Sequence, residues 1–389
     1  MNRERHIAFI HKEFPYGGAE KVTLETANYL CSQGCIVTIL TSKHNEHLYP
    51  KGCNRCFKVA LLPQKNIKSS KEVARHVRDF IITNNVLVLV TSRELLYARW
   101  LKAKTDIKMV FQLHSSPFYE FLDIEDKKSH NRWTKMVYSC GLQWLMTQFY
   151  LSKYRRIYGW ADAYGVLCDA YCQLLINKLH LSADNKLWVL PNSIVPPSSV
   201  EHDKQKVVVF VGRLSRRDKR VDRLLRIWHL AQPKMPGWLL KIVGDGREMS
   251  NLRKLSSELH LQAISFEGQT NDVKRYYDEA AILCLTSSFE GWPMSVAEAQ
   301  SNGVIPVVFN SFLGAKELVS TEEQGVLVNP FDEDAFANAL VQLSANKQSM
   351  EMMQKHVLEK AQDYSVIRTG DAWMNMLNHL LEEPGTNEQ

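Results

Sequence analysis

Short runs of Val, Ile and Leu alternate with amphipathic stretches along the chain, and this alternation begins twice. Continuous apolar strands separated by helices are typical of parallel sheets that are covered by helices on both faces. The first series of predicted strands covers residues 6–11, 35–40, 58–62, 86–90, 108–114, 163–168 and 186–191. The second series covers residues 206–212, 238–244, 263–268, 280–286, 304–309 and 325–329. The pattern therefore predicts an α/β protein with two doubly wound parallel sheets.

The stretch "SIVPPSSVEHDKQ" at residues 193–205 lies between the two series and combines prolines, serines and charges. Such a composition indicates a linker. A chain of 389 residues is also long for a single core, which favours two domains. We therefore predict a first domain over residues 1–192 and a second over 206–363, facing each other across a cleft where strand carboxyl ends place ligands. A helix at 364–381 is expected to pack back on the first domain.

The amino-terminal stretch lacks the apolar core and cleavage site of a secretion signal, and no run reaches the ~18 apolar residues of a membrane span. We therefore expect a cytoplasmic protein, in which the eight cysteines are reduced and mostly buried. Cys53 and Cys56 form a CxxC pair that also allows a zinc site. Such a site would need Cys31 and Cys35 as its other ligands, so reduced thiols are the favoured interpretation.

Charge divides unevenly along the chain. Residues 1–200 contain 27 Lys and Arg against 16 Asp and Glu, whereas residues 201–389 contain 21 against 26. A basic half suggests an anionic partner. No basic and aromatic motif of a nucleic-acid reader is present, so an anionic membrane surface is the better candidate.

Two glycine- or proline-bearing loops precede predicted helices, as anion sites at helix amino termini require. Gly17 and Gly18 stand directly before the first helix, where an ordinary turn is the competing interpretation. In the second half, Pro293 opens a helix after "EGW", which would leave the amides of Met294, Ser295 and Val296 unpaired.

A basic loop follows the first strand of the second series. In "VGRLSRRDKRVDRLL" (211–225), Arg213 comes directly after the strand and Lys219 follows, with Arg216, Arg217 and Arg220 nearby. A basic loop is often only a solvated surface. At the end of a strand of an open α/β sheet, however, Arg and Lys could meet a diphosphate.

These segments carry a resemblance that covers nearly the whole chain, in order. "FPYGGAEKV", "VGRLSRRDKRVDRLL", "IVGDGRE" and "SSFEGWPMSVAEAQSNGVIPVV" resemble the retaining nucleotide-sugar glycosyltransferases of glycosyltransferase family 4. That family has the GT-B fold, which consists of two Rossmann-like domains. Glu290 and Glu298 match its Glu-x7-Glu motif.

The resemblance implies a role for each matching position in the second half. Glu298 would bind the ribose hydroxyls, Glu290 would lie beside the sugar, and Arg213 and Lys219 would neutralise the leaving diphosphate in place of a metal. Amides after Gly291 would cap the distal phosphate. The resemblance therefore implies that the following positions bind the donor: Gly244, Gly291, Trp292, Pro293, Met294, Ser295 and Glu298.

In the first half, the resemblance implies that Gly17 and Gly18 let the amino-terminal loop approach phosphate and acceptor. Asn192 matches the "PN" between the domains of the family, and the resemblance implies that Gly17, Gly18 and Asn192 also bind the donor. His114 matches a histidine that touches the donor sugar in relatives, although a structural histidine at a strand end is the alternative.

The chain departs from the family pattern at three places. Arg220 stands where the family usually has glycine, so we expect a differently shaped loop. Residues 308–319 replace a glycine-rich turn, which leaves Glu317 in doubt as a ligand. "DED" at 332–334 resembles a metal-binding motif of another fold, but acidic residues also suit a helix start. We expect no metal and no cofactor.

Residues 127–160 place Lys and Arg around an aromatic-rich segment. Such a segment could lie on an anionic bilayer, or it could be a helical hairpin that covers the first sheet. The complete interpretation is a retaining, metal-independent transferase, peripheral on the inner face of the plasma membrane. It would move a hexosyl or N-acetylhexosaminyl group from a UDP-sugar to a glycan or lipid-linked glycan in bacterial surface polysaccharide synthesis. A sugar-nucleotide epimerase and a non-catalytic subunit of a glycan-assembly complex are the alternatives.

Overall fold

A computed structural model describes residues 4–49, 55–119, 143–182 and 186–382. The chain divides into two compact units. The first consists of Met1–Ser193 and Val366–Gln389, and the second of Ile194–Ser365. Residues 194–205, which we predicted to lie in a linker, are thus part of the second unit. There Ile194 forms an isolated parallel bridge with Ser365.

The first unit is built on a seven-stranded sheet in which every pairing is parallel. Its strands are β1 (His6–Phe14), β2 (Ile36–His44), β3 (Lys58–Leu61), β4 (Val88–Thr91), β5 (Lys108–Gln112), β6 (Ala163–Val166) and β7 (Leu187–Val189), in the order β3-β2-β1-β4-β5-β6-β7. Up to residue 193, the helices that the structure describes in this unit are α1 (Gly18–Ser32), α2 (Lys71–Thr83), α3 (Ala98–Lys102), α4 (Gln143–Trp160) and α5 (Asp169–Leu179), with a 3₁₀ turn at Glu46–Leu48.

Local sequence explains these elements directly. All four residues of β4 are buried, as expected for a central parallel strand. Helix α2 buries Val73, Val77 and Ile81, which recur every fourth residue along one face. The Ser70 hydroxyl accepts the Val73 amide and caps the start of that helix.

The second unit contains a six-stranded parallel sheet. Its strands are β8 (Val207–Val211), β9 (Leu239–Val243), β10 (Ile264–Gly268), β11 (Ile282–Leu285), β12 (Ile305–Phe309) and β13 (Val326–Val328), in the order β10-β9-β8-β11-β12-β13. Its helices are α6 (Val221–Ala231), α7 (Met249–Glu258), α8 (Lys274–Glu279), α9 (Met294–Ser301), α10 (Ala315–Leu318), α11 (Glu333–Ala345) and α12 (Lys347–Ala361). The 3₁₀ turns lie at Gln232–Lys234, Glu322–Gln324 and Gln362–Tyr364.

The last helix, α13 (Val366–Leu381), returns to the first unit and packs on α1. Close approach of these helices requires Gly370, because a Cβ atom there would lie 2.2 Å from the Tyr29 ring. The Tyr29 hydroxyl donates to Asp371, and Trp373 packs against Phe9 with ring centroids 5.9 Å apart.

Both sheets have the strand order 3-2-1-4-5-6 of the dinucleotide-binding fold, and the first adds a seventh strand. The predicted α/β architecture with two Rossmann-like parallel sheets is therefore confirmed. In each unit the order reverses between the first strand and the fourth. Ligands of open α/β sheets bind at the carboxyl ends of the strands beside such a switch point.

Candidate active site

The switch point of the second unit lies between β8 and β11, which pair directly. The chain leaves β8 towards β9 on one side and leaves β11 towards β12 on the other. The loop at 212–220 and the segment at 286–293 therefore emerge side by side. Hydrogen bonds join them, since Ser288 N–H donates to the Asp218 carbonyl at 2.7 Å and Thr286 Oγ1 donates to the Arg220 carbonyl at 3.1 Å.

Lys219 and Glu290 form an ion pair between the two segments. Lys219 Nζ lies 2.6 Å from Glu290 Oε1, and the side chains are only 15% and 11% exposed. The Ser287 hydroxyl donates to the same carboxylate oxygen at 2.6 Å. Little solvent screens this pair, so it holds a positive and a negative group in fixed positions at the strand ends.

Arg220 follows Lys219 with φ +50° and ψ +47°, which is the left-handed conformation that glycine favours. Its guanidinium donates twice to Asp222, at 2.9 Å in each bond. An arginine at this position is thus compatible with a glycine-like backbone, and the side chain is fixed by a bidentate ion pair. We expected a differently shaped loop because Arg220 replaces a glycine, but the backbone conformation of Arg220 is one that glycine also adopts and does not support that expectation.

Arg213 is on the same loop but is 72% exposed, and its guanidinium donates to Asp218 at 2.9 Å. The structure therefore brings Lys219 and Glu290 together and leaves Arg213 bound to a different carboxylate. A ligand at the switch point could accept hydrogen bonds from the other N–H groups of Arg213 or displace Asp218.

Gly244 has a structural task that the sequence did not reveal. With φ +134°, it lies so close to the Gly212 backbone that a Cβ atom would be 1.9 Å from the Gly212 carbonyl oxygen. Gly246 is similarly close to the carbonyl oxygen of Leu214, at 2.2 Å. Both glycines let the loops after β8 and β9 run in contact, with Gly212 N–H donating to the Val243 carbonyl.

Pro293 is the cap of helix α9, which begins at Met294. The Val296 amide donates to the Pro293 carbonyl at 2.9 Å, so the prediction that this amide is unpaired is wrong. The bond closes the first turn three residues back, as helix starts often do. Met294 and Ser295 stand at the positions whose amides have no acceptor within the helix.

Trp292 is buried, with 5% exposure, and its ring packs edge-on against Tyr364 at a centroid distance of 5.2 Å. The side chain predicted to bind the donor therefore anchors the segment in the interior of the second unit. Gly291, between Glu290 and Trp292, is partly exposed.

Glu298 lies on the second turn of α9 and contacts a tyrosine that the sequence did not single out. The Tyr277 hydroxyl is 3.3 Å from Glu298 Oε2 and 3.4 Å from the Ser295 carbonyl oxygen. Burial, together with the Glu298 charge, raises the pKa of Tyr277 well above its ordinary value. Tyr277 remains a neutral donor that can orient the carboxylate.

In the first unit, Gly17 caps α1 and Gly18 is its first residue. The Gly17 amide donates to Glu20 Oε2 at 3.1 Å, so this amide is already engaged. A Cβ atom at Gly18 would meet no atom within 4 Å. Only Gly18 therefore leaves open space beside the loop, which is what a close-approaching ligand would need.

His11 connects this loop to the sheet, although sequence reasoning missed it. His11 Nδ1 lies 3.5 Å from Glu20 Oε1, and its Nε2 lies 3.1 Å from Thr23 Oγ1. Burial opposes ionisation of Glu20, but the bond and charge of His11 hold the pKa of this carboxyl below its ordinary value. The spacing from Gly17 to Glu20, typical of a capping box, is the signal that could have found this contact.

His114 and Asn192 are neighbours in the folded chain, although 78 positions separate them in the sequence. His114 Nδ1 lies 3.1 Å from Asn192 Oδ1. Burial lowers the pKa of His114 to about 4, against the opposing effect of the Asn192 bond. The imidazole is therefore neutral near pH 7 and can offer a hydrogen bond without a charge.

Within the described ranges, no group of three or more His, Cys, Asp and Glu residues could hold a metal ion. The "DED" segment is a helix start, since the Asp332 carboxylate accepts the Ala335 amide and caps α11. Cys53 lies outside the described residues, whereas Cys31, Cys35 and Cys56 are free thiols. The Tyr364 hydroxyl donates a hydrogen bond to the Glu317 backbone carbonyl at 2.9 Å.

Two family models match consecutive parts of the chain. "Glycosyltransferase Family 4" matches residues 16–196, and "Glycosyl transferases group 1" matches residues 194–360. Together they span residues 16–360, which is most of both units. The chain is a family 4-type GT-B glycosyltransferase.

The glycosyltransferase is similar along nearly its whole length to an uncharacterized glycosyltransferase of Haemophilus influenzae, at 26% identity over 93% of this chain and 96% of the relative. It is 26% identical to the Escherichia coli UDP-Gal:alpha-D-GlcNAc-diphosphoundecaprenol alpha-1,3-galactosyltransferase over 49% of this chain and 55% of that relative. Other relatives are named as lipopolysaccharide, O-antigen and amylovoran biosynthesis glycosyltransferases. These shorter matches span roughly half the length of each relative or less.

The fold of the glycosyltransferase is similar to that of Anabaena HepE in complex with UDP and glucose. The TM-score is 0.72 at 16% identity, and the match covers 97% of this chain and 100% of HepE. At that identity the likeness concerns the fold.

Residues 127–142 of the predicted membrane segment lie outside the described residues. The remainder of that segment is α4, on which Trp144, Leu145 and Phe149 are 64%, 57% and 65% exposed. Among the helices that the structure describes, none is long and apolar enough to cross a membrane.

Proposed function

We propose that this glycosyltransferase moves a hexosyl or N-acetylhexosaminyl group from a UDP-sugar to a hydroxyl of a glycan or lipid-linked glycan, with retention of anomeric configuration. The observation that carries the proposal is the Lys219–Glu290 pair at the switch point of the second unit, with Glu298 eight residues further on. The cation of Lys219 suits the diphosphate of the donor, the carboxylate of Glu290 suits its sugar, and the carboxylate of Glu298 suits its ribose.

Each residue then has a distinct task. Lys219 neutralises the diphosphate as negative charge grows on the leaving oxygen, and Arg213 joins it after release from Asp218. The amides of Met294 and Ser295 donate to the distal phosphate. Glu298, oriented by Tyr277, accepts hydrogen bonds from the ribose hydroxyls. In this role the side chains supply the positive charge that a metal supplies elsewhere.

The proposed step retains configuration because bond breaking and bond making take place on one face of the sugar. The bond from the anomeric carbon to the diphosphate oxygen breaks, and the acceptor oxygen bonds to the same carbon. The acceptor proton passes to the leaving phosphate oxygen. Glu290, held by Lys219 and Ser287, would bind sugar hydroxyls rather than attack the anomeric carbon.

The donor nucleotide is proposed on the chemistry of the site, supported by the UDP named for HepE and for the E. coli relative. The acceptor class and a role in bacterial surface polysaccharide synthesis are supported by the names of the relatives. We also propose a cytoplasmic location with peripheral membrane binding, in which Trp144 and Phe149 enter the interface of an anionic bilayer and Lys153 and Arg155 meet its charge.

A panel of nucleotide sugars tests the proposal. A ligand that binds only the folded protein raises the melting temperature by mass action, so UDP-sugars should stabilise the chain more than ADP- or GDP-sugars. The best donor is then incubated with candidate acceptors, and the anomeric coupling of the product is measured by NMR. An inverted product contradicts retention. Epimerised UDP-sugar formed without any acceptor would instead identify an epimerase.

A further inference from the structure

A strongly basic pocket occupies the carboxyl edge of the first sheet, apart from every residue discussed above. Its volume is about 590 Å³, and it lies where β1 and β2 end and where the chain continues after β3 and β4. Five of its ten lining residues are cationic and one is acidic. They are Lys12, Glu13, Ser42, Lys43, Gln64, Lys65, Asn66, Ile67, Lys68 and Arg93.

Hydrogen bonds and buried anchors build the wall of this pocket. Leu62 N–H donates to the Thr41 carbonyl at 2.8 Å, and Leu96 N–H donates to the Lys68 carbonyl at 2.9 Å. These bonds fasten the two ends of the 62–68 loop to β2 and to the segment after β4. Ile67, one residue before the end of the loop, is 4% exposed and anchors it in the core. The cationic side chains therefore project from a fixed backbone.

Two of the five cations are balanced by carboxylates, since Lys43 pairs with Glu13 and Lys65 pairs with Glu72. Lys12, Lys68 and Arg93 form no ion pair with any residue that the structure describes. All three are exposed. Three uncompensated charges around one concavity repel each other, and an anion bound there would relieve that repulsion.

We propose that this pocket binds a phosphate or diphosphate group carried by the acceptor. Arginine supplies a bidentate fork for phosphate oxygens, and lysines act as point charges around it. Gln64 and Ser42 add polar groups suited to the adjoining glycan. The inference rests on the proposed function, which assigns the donor diphosphate to Lys219 and Arg213 in the second unit. The acceptor would therefore be an anionic glycan, recognised by its phosphate.

Titration of inorganic pyrophosphate in the presence of saturating UDP tests the pocket directly, because UDP occupies the donor site. The test variant is Lys12→Gln with Arg93→Gln. The control, Lys58→Gln with Lys108→Gln, removes two charges from the amino ends of β3 and β5 in the same sheet. We expect the test variant to bind pyrophosphate at least about tenfold more weakly, because each lost hydrogen bond to a charged group lowers the binding affinity. The control should match the wild type.

The source of the phosphate is tested with a disaccharide phosphomonoester, the same disaccharide after phosphatase treatment, and phosphatidylglycerol vesicles. Selective, pocket-dependent binding of the phosphorylated disaccharide supports the proposal. The proposal is overturned if the test variant and the wild type bind pyrophosphate with equal affinity. It is also overturned if the test variant loses binding to the vesicles but keeps its binding to the phosphorylated disaccharide. UDP affinity is measured in parallel. A wild type that fails to bind UDP contradicts the proposed function, whereas loss of the pocket alone does not.

Discussion

The Lys219 ammonium donates to the Glu290 carboxylate at 2.6 Å, although 71 positions separate the two residues in the sequence. The pairing of β8 with β11 makes this contact possible, because it brings the ends of two strands together at the point where the strand order reverses. The ion pair therefore depends on the topology of the sheet.

Lys219→Ala and Glu290→Gln should affect different steps. Loss of the ammonium should weaken UDP binding by about tenfold and lower kcat by roughly 10²-fold, since it removes charge from the leaving group. Glu290→Gln should leave UDP affinity unchanged or raised, because Lys219 is released, while transfer falls. Calorimetry with UDP and initial rates give the two values. Lys254→Ala, which removes an exposed pair with Glu258, is the control. Unchanged turnover in both site variants would rule out the assignment.

Gly18→Ala and Gly244→Ala should separate ligand approach from folding. Alanine at residue 18 meets no atom within 4 Å, so the melting temperature should be kept or slightly raised. Transfer should nevertheless fall if the loop closes on a ligand. Alanine at residue 244 would collide with the Gly212 carbonyl, and we expect destabilisation by more than about 2 kcal/mol. Thermal unfolding and initial rates, measured on both variants, distinguish an effect on ligand approach from an effect on folding. Full activity in Gly18→Ala would contradict the approach of a ligand to that loop.

Tyr277→Phe should act through Glu298. Removal of the hydroxyl frees the carboxylate from its 3.3 Å contact, and we expect UDP affinity to fall about threefold to tenfold. The affinity for 2′-deoxy-UDP should change less, because that ligand lacks a hydroxyl for Glu298 to bind. In a double-mutant cycle with Glu298→Ala, the two losses should not add. Additive losses would show that Tyr277 affects UDP binding independently of Glu298.

His114 should make stability depend on pH. Its pKa is about 4 in the folded chain against 6.5 ordinarily, so the unfolded state binds more protons between these values. The contribution is fully present above pH 6.5 and is lost as pH falls towards 4, by up to about 3 kcal/mol. Urea unfolding of wild type and His114→Gln at pH 7.5 and 5 measures the difference. Parallel losses in both proteins would assign the effect to other groups.

Trp144→Ala with Phe149→Ala should reduce binding to phosphatidylglycerol vesicles by about tenfold or more, since each buried aromatic ring contributes more than 1 kcal/mol. Co-sedimentation measures the bound fraction, and phosphatidylcholine vesicles test the need for negative charge. Leu313→Ala, which truncates an exposed apolar side chain of the second unit, is the control. Equal binding by all variants contradicts a membrane role for α4.

The strand and helix series, the two parallel sheets and several site segments could be predicted because they depend on local chemistry. Apolar runs, helix caps and the spacing of Glu290 and Glu298 are all present in consecutive residues. The predicted helix at 364–381 corresponds to Val366–Leu381.

Contacts between distant segments were beyond the reach of sequence patterns. Trp292 packs in the interior against Tyr364, and Gly244 is needed for the contact between two loops. Each outcome depends on the packing of a neighbour that no local pattern specifies. For the same reason the sequence gave no clear signal for Tyr277 and Ser287.

The order of amino acids specifies which groups this glycosyltransferase carries: its strands, its glycines, its cations and its paired carboxylates. Which of these groups come into contact depends on the folded sheets. Lys12 and Arg93 converge on one basic pocket because β1 and β4 are neighbours in the sheet, and Lys219 meets Glu290 because β8 and β11 are. Side-chain chemistry is encoded residue by residue, whereas proximity follows from strand order, which is a property of the whole folded sheet.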